Sequence, residues 1–485
     1  MLPAHSGDAE CAGSALFMEC AVYGTRVNRC PPFLLLALWP AWMLAADPWA
    51  ASEPDPCLLV GTLSCASASC HGRPEPASRP LLPEGAFGER SDQEHRRDST
   101  SPRPPGPARQ AGPTSGTATI NQQEYLHFLA GDPHAEAARR MTEPRYREVL
   151  RRASQYDPAA PTRCAPCHDP LGHASESSHQ SLGRGIGCES CHGAARDWLA
   201  VHYEQDVSRE RLVKLGLIDT RQVLARAGVC ASCHVGSPGR DVNHDLLAAG
   251  HPPLLFELAS HQALIERKHW DDTARREREP NYEVQLWAAG QIASADAALS
   301  LLAARAEQAS KSGPWPEFAE SDCRSCHRPL RAESGSSSGL PAWQSWNTAG
   351  ISPLGSLDVL RHEMQRSLVP QAAQVAGLAA AARTDLRQSV RLSPEGVLLC
   401  ANGRPLDTAA VLERLDSAQP PNFDRACQEL AALLAAGRSL GAPSDLARLR
   451  RIAAELRRDA PITEIAARLA AARREISDNL PARQP

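Results

Sequence analysis

The chain has 485 residues, with 52 Lys+Arg against 56 Asp+Glu and a formal charge of −4. A balance this near neutral argues against a nucleic-acid partner, which calls for a strongly basic face, and the length allows about two to four domains. Hydrophobic residues make up 42% but aromatics only 5%, beside 32 Gly and 40 Pro. Either the core is modest or something other than side chains fills it.

In chain order, the first feature is an apolar run from Phe33 to Ala46 behind Arg26 and Arg29, followed by small residues up to Ala51. It is too short for a comfortable membrane span and fits a signal peptide over 1–51. Residues 1–17 carry acidic residues and no early basic cluster, so Met18 is an alternative start. The expected mature chain is exported, soluble and periplasmic, with no membrane span. Neither Cys30 nor Cys57 follows the small-residue pattern of a lipid-attachment site.

The next feature, Cys65-Ala-Ser-Ala-Ser-Cys70-His71, is a cysteine pair closed by histidine. Residues 72–119, with Pro102-Arg-Pro-Pro-Gly-Pro107, have no periodic apolar pattern and read as a disordered insertion. Then come four regular C-x-x-C-H motifs: Cys164/Cys167/His168, Cys188/Cys191/His192, Cys230/Cys233/His234 and Cys323/Cys326/His327.

C-x-x-C-H is the attachment site of c-type haem: two thiols add to the porphyrin vinyl groups and the adjacent His binds the iron from beneath. Zinc ribbons and disulfide redox sites also use paired cysteines. Neither needs a His directly after the second Cys, which all five pairs have. The first pair has a longer loop, so a disulfide or free thiols compete there with haem. About five covalent haems would also resolve the aromatic deficit, since flat apolar macrocycles supply buried surface. Outside the motifs the mature chain keeps Cys57, Cys400 and Cys427; a Cys400–Cys427 disulfide suits an oxidising compartment, and sequence leaves it open.

Each iron has a sixth position. Met141 and Met364 are the only mature-chain methionines. His/Met ligation raises the potential, so mainly bis-His, low-potential haems are expected. Asp132-Pro133-His134-Ala135 reads as N-cap, Pro at the first helical position and His in the first turn. His202 lies ten residues beyond His192, about 15 Å along a helix, so it would serve a neighbouring haem. His244 and His251 flank a segment with small residues that permits close approach, and His269 precedes Trp270. The distal candidates are therefore His134, His202, His251, His244 and His269. His95 lies in the insertion, and His127, His173, His179, His261 and His362 are read as ordinary histidines. Gly183-Arg-Gly-Ile-Gly187 has phosphate-loop spacing but follows no strand, and reads as a turn.

Residues 52–330 thus hold the haem sites, 331–354 is a flexible linker, and 355–485 is helical. In that tail Ser444 is the expected N-cap ahead of Leu446, Leu449, Ile452, Ala453 and Leu456, and Thr463 opens a further helix through Ile465, Leu469 and Ala472. Packing or partner docking, including assembly of a larger complex, is its expected role. The fold class is mainly α with much irregular coil.

Asp-Pro-His-Ala at 132–135, Gly-Cys-Glu-Ser-Cys-His-Gly at 187–193 running into Trp-Leu-Ala-Val-His202, and Val-Asn-His-Asp…Ala-Gly-His-Pro at 242–252 resemble the cytochrome c-554 family of multihaem cytochromes c. The resemblance covers about 60–330. It implies a fold organised around stacked haems, a periplasmic electron shuttle and redox-protein partners. It also implies that His202 serves the first haem, that His134 serves a later one, and that the haem of His168 lacks a strong distal ligand. The family pattern is tetrahaem; this chain adds the motif at 323–327, preceded by Trp315-Pro-Glu-Phe318, and the helical tail.

Two functions compete. One is electron transfer between redox partners, which needs no substrate pocket, and no Ser-His-Asp arrangement, nucleotide loop or nonhaem metal cluster is visible. The other is an oxidoreductase acting on a small nitrogen compound at an open iron over His168, with Arg184, His173 and His179 nearby in sequence. No catalytic residue is assigned.

Overall fold

The computed structural model describes residues 58–67, 70–71, 123–155, 160–172, 185–265, 268–311, 314–327, 343–351, 354–415, 422–456 and 461–480. The leader, Cys57, the 72–119 insertion, His95, His173, His179, Arg184 and residues 331–342 lie outside them.

The helices of the first half are α1 (Glu124–Gly131), α2 (Ala137–Arg140), α3 (Pro144–Ala153), α4 (Ala160–His168) and α5 (Cys188–His192). They are followed by α6 (Arg209–Lys214), α7 (Val223–His234), α8 (His244–Ala249), α9 (Leu258–Ala263), α10 (Thr273–Arg278) and α11 (Tyr282–Ala309). After α12 (Cys323–Cys326) come α13 (Gly355–Arg366), α14 (Ala372–Ser389), the strands β1 (Arg391–Leu392) and β2 (Leu398–Leu399), and α15 (Thr408–Leu415). The chain closes with α16 (Phe423–Ser439), α17 (Pro443–Glu455) and α18 (Ile462–Asp478). The described residues are therefore mainly helical, with a single antiparallel two-residue strand pair.

The 28-residue α11 organises the packing. Its small and aliphatic residues run all round the helix rather than along one stripe, and such a helix has to be enclosed. It is long and apolar enough to cross a membrane, yet 78% of its apolar window is covered by the fold. Gly290 allows the close approach of α9: a Cβ there would stand 2.8 Å from the Leu258 Cβ. Helices α7, α14 and α16 pack against α11. One hydrophobic core runs from Val223 and Leu224 in α7 through Leu286 and Ala289 to Leu433, Leu449 and Ile465. The helices after 354 are thus joined in packing to the helix that ends in the fourth cysteine motif.

One polar side chain buried in α11 fastens the strand pair to it. Gln285 donates to the carbonyls of Leu398 (3.0 Å) and Leu406 (2.7 Å) and accepts from Leu398 N–H (2.7 Å), which fastens the strand pair to the helix. Within the expected linker, residues 343–351 are packed. Trp343 is buried and donates to Glu320, and Trp346 donates to the Phe256 carbonyl.

Local boundaries differ from expectation at two places. Helix α17 begins at Pro443 with Ala442 as its cap, because proline's fixed φ suits the first helical position better than Ser444 suits the cap. The stripe still buries Leu449 and Ile452, and α18, which starts at Ile462, buries Ile465, Leu469 and Ala472 as expected. Residues 194–203 are turns rather than a helix, since Gly193 leaves α5 at φ 81° and reverses the chain. Cys400 is a thiol, so no Cys400–Cys427 disulfide is formed.

Candidate haem-binding sites

The sites are numbered by motif, 1 to 5. Helices α4 and α7 end at His168 and His234, and α5 spans Cys188–His192. The fifth motif forms α12, and the His327 N–H donates to the Cys323 carbonyl. Residues three apart on a helix share a face, so each such turn sets its two sulfurs side by side. The first motif is built differently: a 3₁₀ turn at Thr62–Ser64 leads into buried Cys65, and Cys70 and His71 follow from a looser loop.

Every motif histidine faces one of the five distal candidates. Ring centroids are 6.2 Å apart for His71–His202, 6.4 Å for His168–His251 and 6.3 Å for His192–His269. They are 5.9 Å apart for His134–His234 and 6.3 Å for His244–His327. Two imidazoles on one metal, with bonds of about 2 Å and about 1.1 Å from nitrogen to ring centre, give about 6.2 Å. The spacing lies within the range of ordinary aromatic pairs and also leaves room for one metal atom held between the rings. At His168, where the resemblance implied an open position, His251 stands opposite. Tyr146 also lies edge-on to His168 at 5.9 Å.

The hydrogen bonds of these rings use Nδ1 and leave Nε2 for a metal. His134 pairs with Asp132 (2.7 Å), His71 with Glu124 (3.1 Å), His202 with the Leu199 carbonyl (2.6 Å) and His251 with the Pro252 carbonyl (2.8 Å). Such outer contacts fix ring orientation at metal sites. Burial pushes the imidazoles of His192 and His234 down to about 4, holding them in the neutral form that a metal takes. Burial likewise raises the thiols of Cys191 and Cys230, the latter to about 11.

The chain brings the sites together in an order unlike their sequence. Cys65 of site 1 hydrogen-bonds Cys188 of site 3, which raises the first thiol and lowers the second. Cys191 of site 3 lies in the field of Cys230 and Cys233 of site 4. Cys233 in turn hydrogen-bonds Cys167 of site 2, which lowers Cys233 to about 6. Helix α8 and the residue after its Gly250 turn carry His244 of site 5 and His251 of site 2. Side-chain contacts link sites 1, 3, 4 and 2 in that order, and α8 joins site 2 to site 5, which gives the order 1–3–4–2–5.

Two further observations bear on fit. Tyr203 is 73% exposed with its ring 5.6 Å from His202, and Phe318 is 51% exposed with its ring 6.0 Å from His244. Exposed aromatics beside both end pairs are surfaces that a flat apolar group would cover. His261 stands 4.9 Å from His234, too close for a shared metal, and its Nδ1 meets the Glu257 carbonyl. Met364 packs in the core between α11, α13 and α14, away from the motifs.

Sequence reasoning missed the carboxylates that hold the sites. Buried Glu189, the first residue between the third motif's cysteines, accepts from the N–H groups of Val60 (2.9 Å), Gly61 (2.7 Å) and Ala195 (2.8 Å). It ties the loop before site 1 to site 3. Glu317, of the Trp-Pro-Glu-Phe run, accepts from the His244 N–H at 2.9 Å and so positions the distal ring of site 5. A carboxylate inside a haem motif, where a surface residue is equally acceptable, was the one available signal for Glu189.

Residues 122–193 match the family model for cytochrome c554 and c-prime. The matched stretch contains His134 and motifs 2 and 3. It supports a c-type cytochrome, a class that binds haem covalently and serves in electron transfer. Comparison with curated proteins and with solved structures finds no match.

Proposed function

We propose that the protein is an exported, periplasmic pentahaem cytochrome c that passes electrons singly between redox partner proteins. The haems would be bonded at Cys65/Cys70, Cys164/Cys167, Cys188/Cys191, Cys230/Cys233 and Cys323/Cys326. His71, His168, His192, His234 and His327 would be the proximal ligands, and His202, His251, His269, His134 and His244 the respective distal ones. Each haem supplies a one-electron iron couple, kept low by two imidazoles.

The observation that carries this reading is that five motif histidines find five different partners at 5.9–6.4 Å. The spatial order makes sites 1 and 5 the ends of a conducting row. Exposed Cys70 at one end and exposed Cys323, Cys326 and His327 at the other make them the ports for partners. A nitrogen-compound oxidoreductase would need an open position over His168, where His251 stands instead. The helices after 354 brace α11 and offer a surface for complex assembly.

The test is a pyridine-haemochrome count joined to low-temperature EPR and CO addition. Five haems per chain, all low-spin and indifferent to CO, are expected. Fewer than four haems, or a high-spin iron that binds CO, overturns the proposal.

A further inference from the structure

Asp132 is buried and caps the turn at Pro133–Glu136, where its Oδ1 accepts from the His134 N–H at 3.0 Å. The same oxygen meets His134 Nδ1 at 2.7 Å. Its second oxygen, Oδ2, lies 4.0 Å from Nδ1 of His269. That ring nitrogen is fully enclosed and has no hydrogen-bond partner among the described residues. His134 faces His234 of site 4, while His269 faces His192 of site 3. One carboxylate therefore stands between distal rings of two different sites, both far from it in the chain order of their motifs.

A buried carboxylate is costly unless its lone pairs are used. Here the side not engaged by His134 points to an imidazole nitrogen that itself lacks an acceptor. The contrast with sites 1 and 2 is chemical: their distal rings, His202 and His251, give Nδ1 to neutral backbone carbonyls. An anionic acceptor makes an imidazole a stronger donor to its metal than a carbonyl does, and it favours the more oxidised ion. Arg226, whose charge acts on His269, is itself paired with Asp272 at 3.0 Å.

We propose that Asp132 is a shared positioning residue, holding the Nδ1–H of both His134 and His269 so that one carboxylate lowers the potentials of sites 3 and 4 together. This rests on the bis-His reading above. It lowers the second and third members of the row together, so the charge of one carboxylate does not by itself open a large potential step between them.

The test uses the full-length holoprotein and Asp132→Asn, which keeps the turn's cap but removes the charge. Haem count, EPR and an optically monitored potentiometric titration are compared with wild type. Two of the five midpoint potentials are expected to rise, or two low-spin signals to turn high-spin, with the other three fixed. A change at one haem alone, or at none, overturns the proposal. Asp132→Ser, which also caps the turn and removes the carboxylate from both rings, is the second variant should the first fail to fold, and is read in the same way. Fewer than five haems or a high-spin iron in the wild type would reject the bis-His reading instead.

Discussion

The two end sites and the three inner sites are built on different terms. At sites 1 and 5 the facing imidazoles are nearly parallel, at 19° and 20°. At sites 2, 3 and 4 they cross at 78°, 75° and 85°. The ends expose Cys70, Cys323, Cys326 and His327 to solvent, whereas site 4 sits at the end of α7, whose Ala227 and Ala231 are wholly buried in the main core. No motif cysteine of an inner site is exposed, while each end site exposes at least one of its cysteines at the rim. A row of redox groups needs both kinds, since an interior excludes partners and a rim admits them.

The most severe way to probe this difference is to delete attachment sites. Replacing Cys230 and Cys233 by Ala would remove the haem proposed between α5, α7 and the Asp132 turn. The expected result is loss of nearly all holoprotein, read by haem stain and mass. The same double replacement at Cys323 and Cys326 should leave a folded chain lighter by one haem. Equal outcomes at the two places would erase the distinction.

Glu189→Gln is the next largest. The amide keeps one acceptor but turns an N–H pair toward backbone donors, so a charge-assisted network is lost inside the fold. The expected cost is about 2–4 kcal/mol, seen as a lower denaturation midpoint by circular dichroism. Because Val60 and Gly61 lose their anchor while α7 does not, the haem of site 1 should loosen before those of sites 2 and 4.

How much of this was legible beforehand depends on the kind of signal. Covalent attachment fixes residue types at fixed spacing, so the five motifs stood out, and the shortage of methionine left histidine as the sixth ligand. The five histidines that face the motif rings were among the candidates read from a cap, from small neighbours or from spacing, though which faced which was not legible. The role of Glu189 was not legible because its partners are backbone N–H groups, two of them about 128 residues away. Asp132 was read as a cap, and its second oxygen's neighbour becomes apparent only when residues 132 and 269 meet. Helix α11 gave no stripe to detect, since its apolar residues cover all sides, and the burial of the tail helices against it was hidden for the same reason.

Ring orientation gives a spectroscopic comparison that changes no residue. Each imidazole donates π density into the iron d orbital perpendicular to its own plane. Parallel planes load one orbital and split the set widely, whereas crossed planes load two orbitals equally and leave them close in energy. Low-temperature EPR should therefore show two rhombic low-spin signals and three strongly anisotropic ones at lower field. Five signals of one type would mean that ends and interior share one geometry.

The smallest effect is expected from Glu124→Gln at site 1. Its carboxylate meets His71 Nδ1 at 3.1 Å, the same contact that Asp132 makes to His134, but Glu124 is 21% exposed where Asp132 is 4%. Water and salt screen a charge placed there, so the anion strengthens its imidazole less than a buried one does. One midpoint potential should rise, by less than either shift caused by Asp132→Asn, and the shift should shrink as ionic strength increases. The Asp132 shifts should hardly respond to salt, because that carboxylate is enclosed. If the Glu124 effect were as large and as salt-independent, the rim would be as sheltered as the interior, and sites 1 and 5 would lose their claim to be the ports.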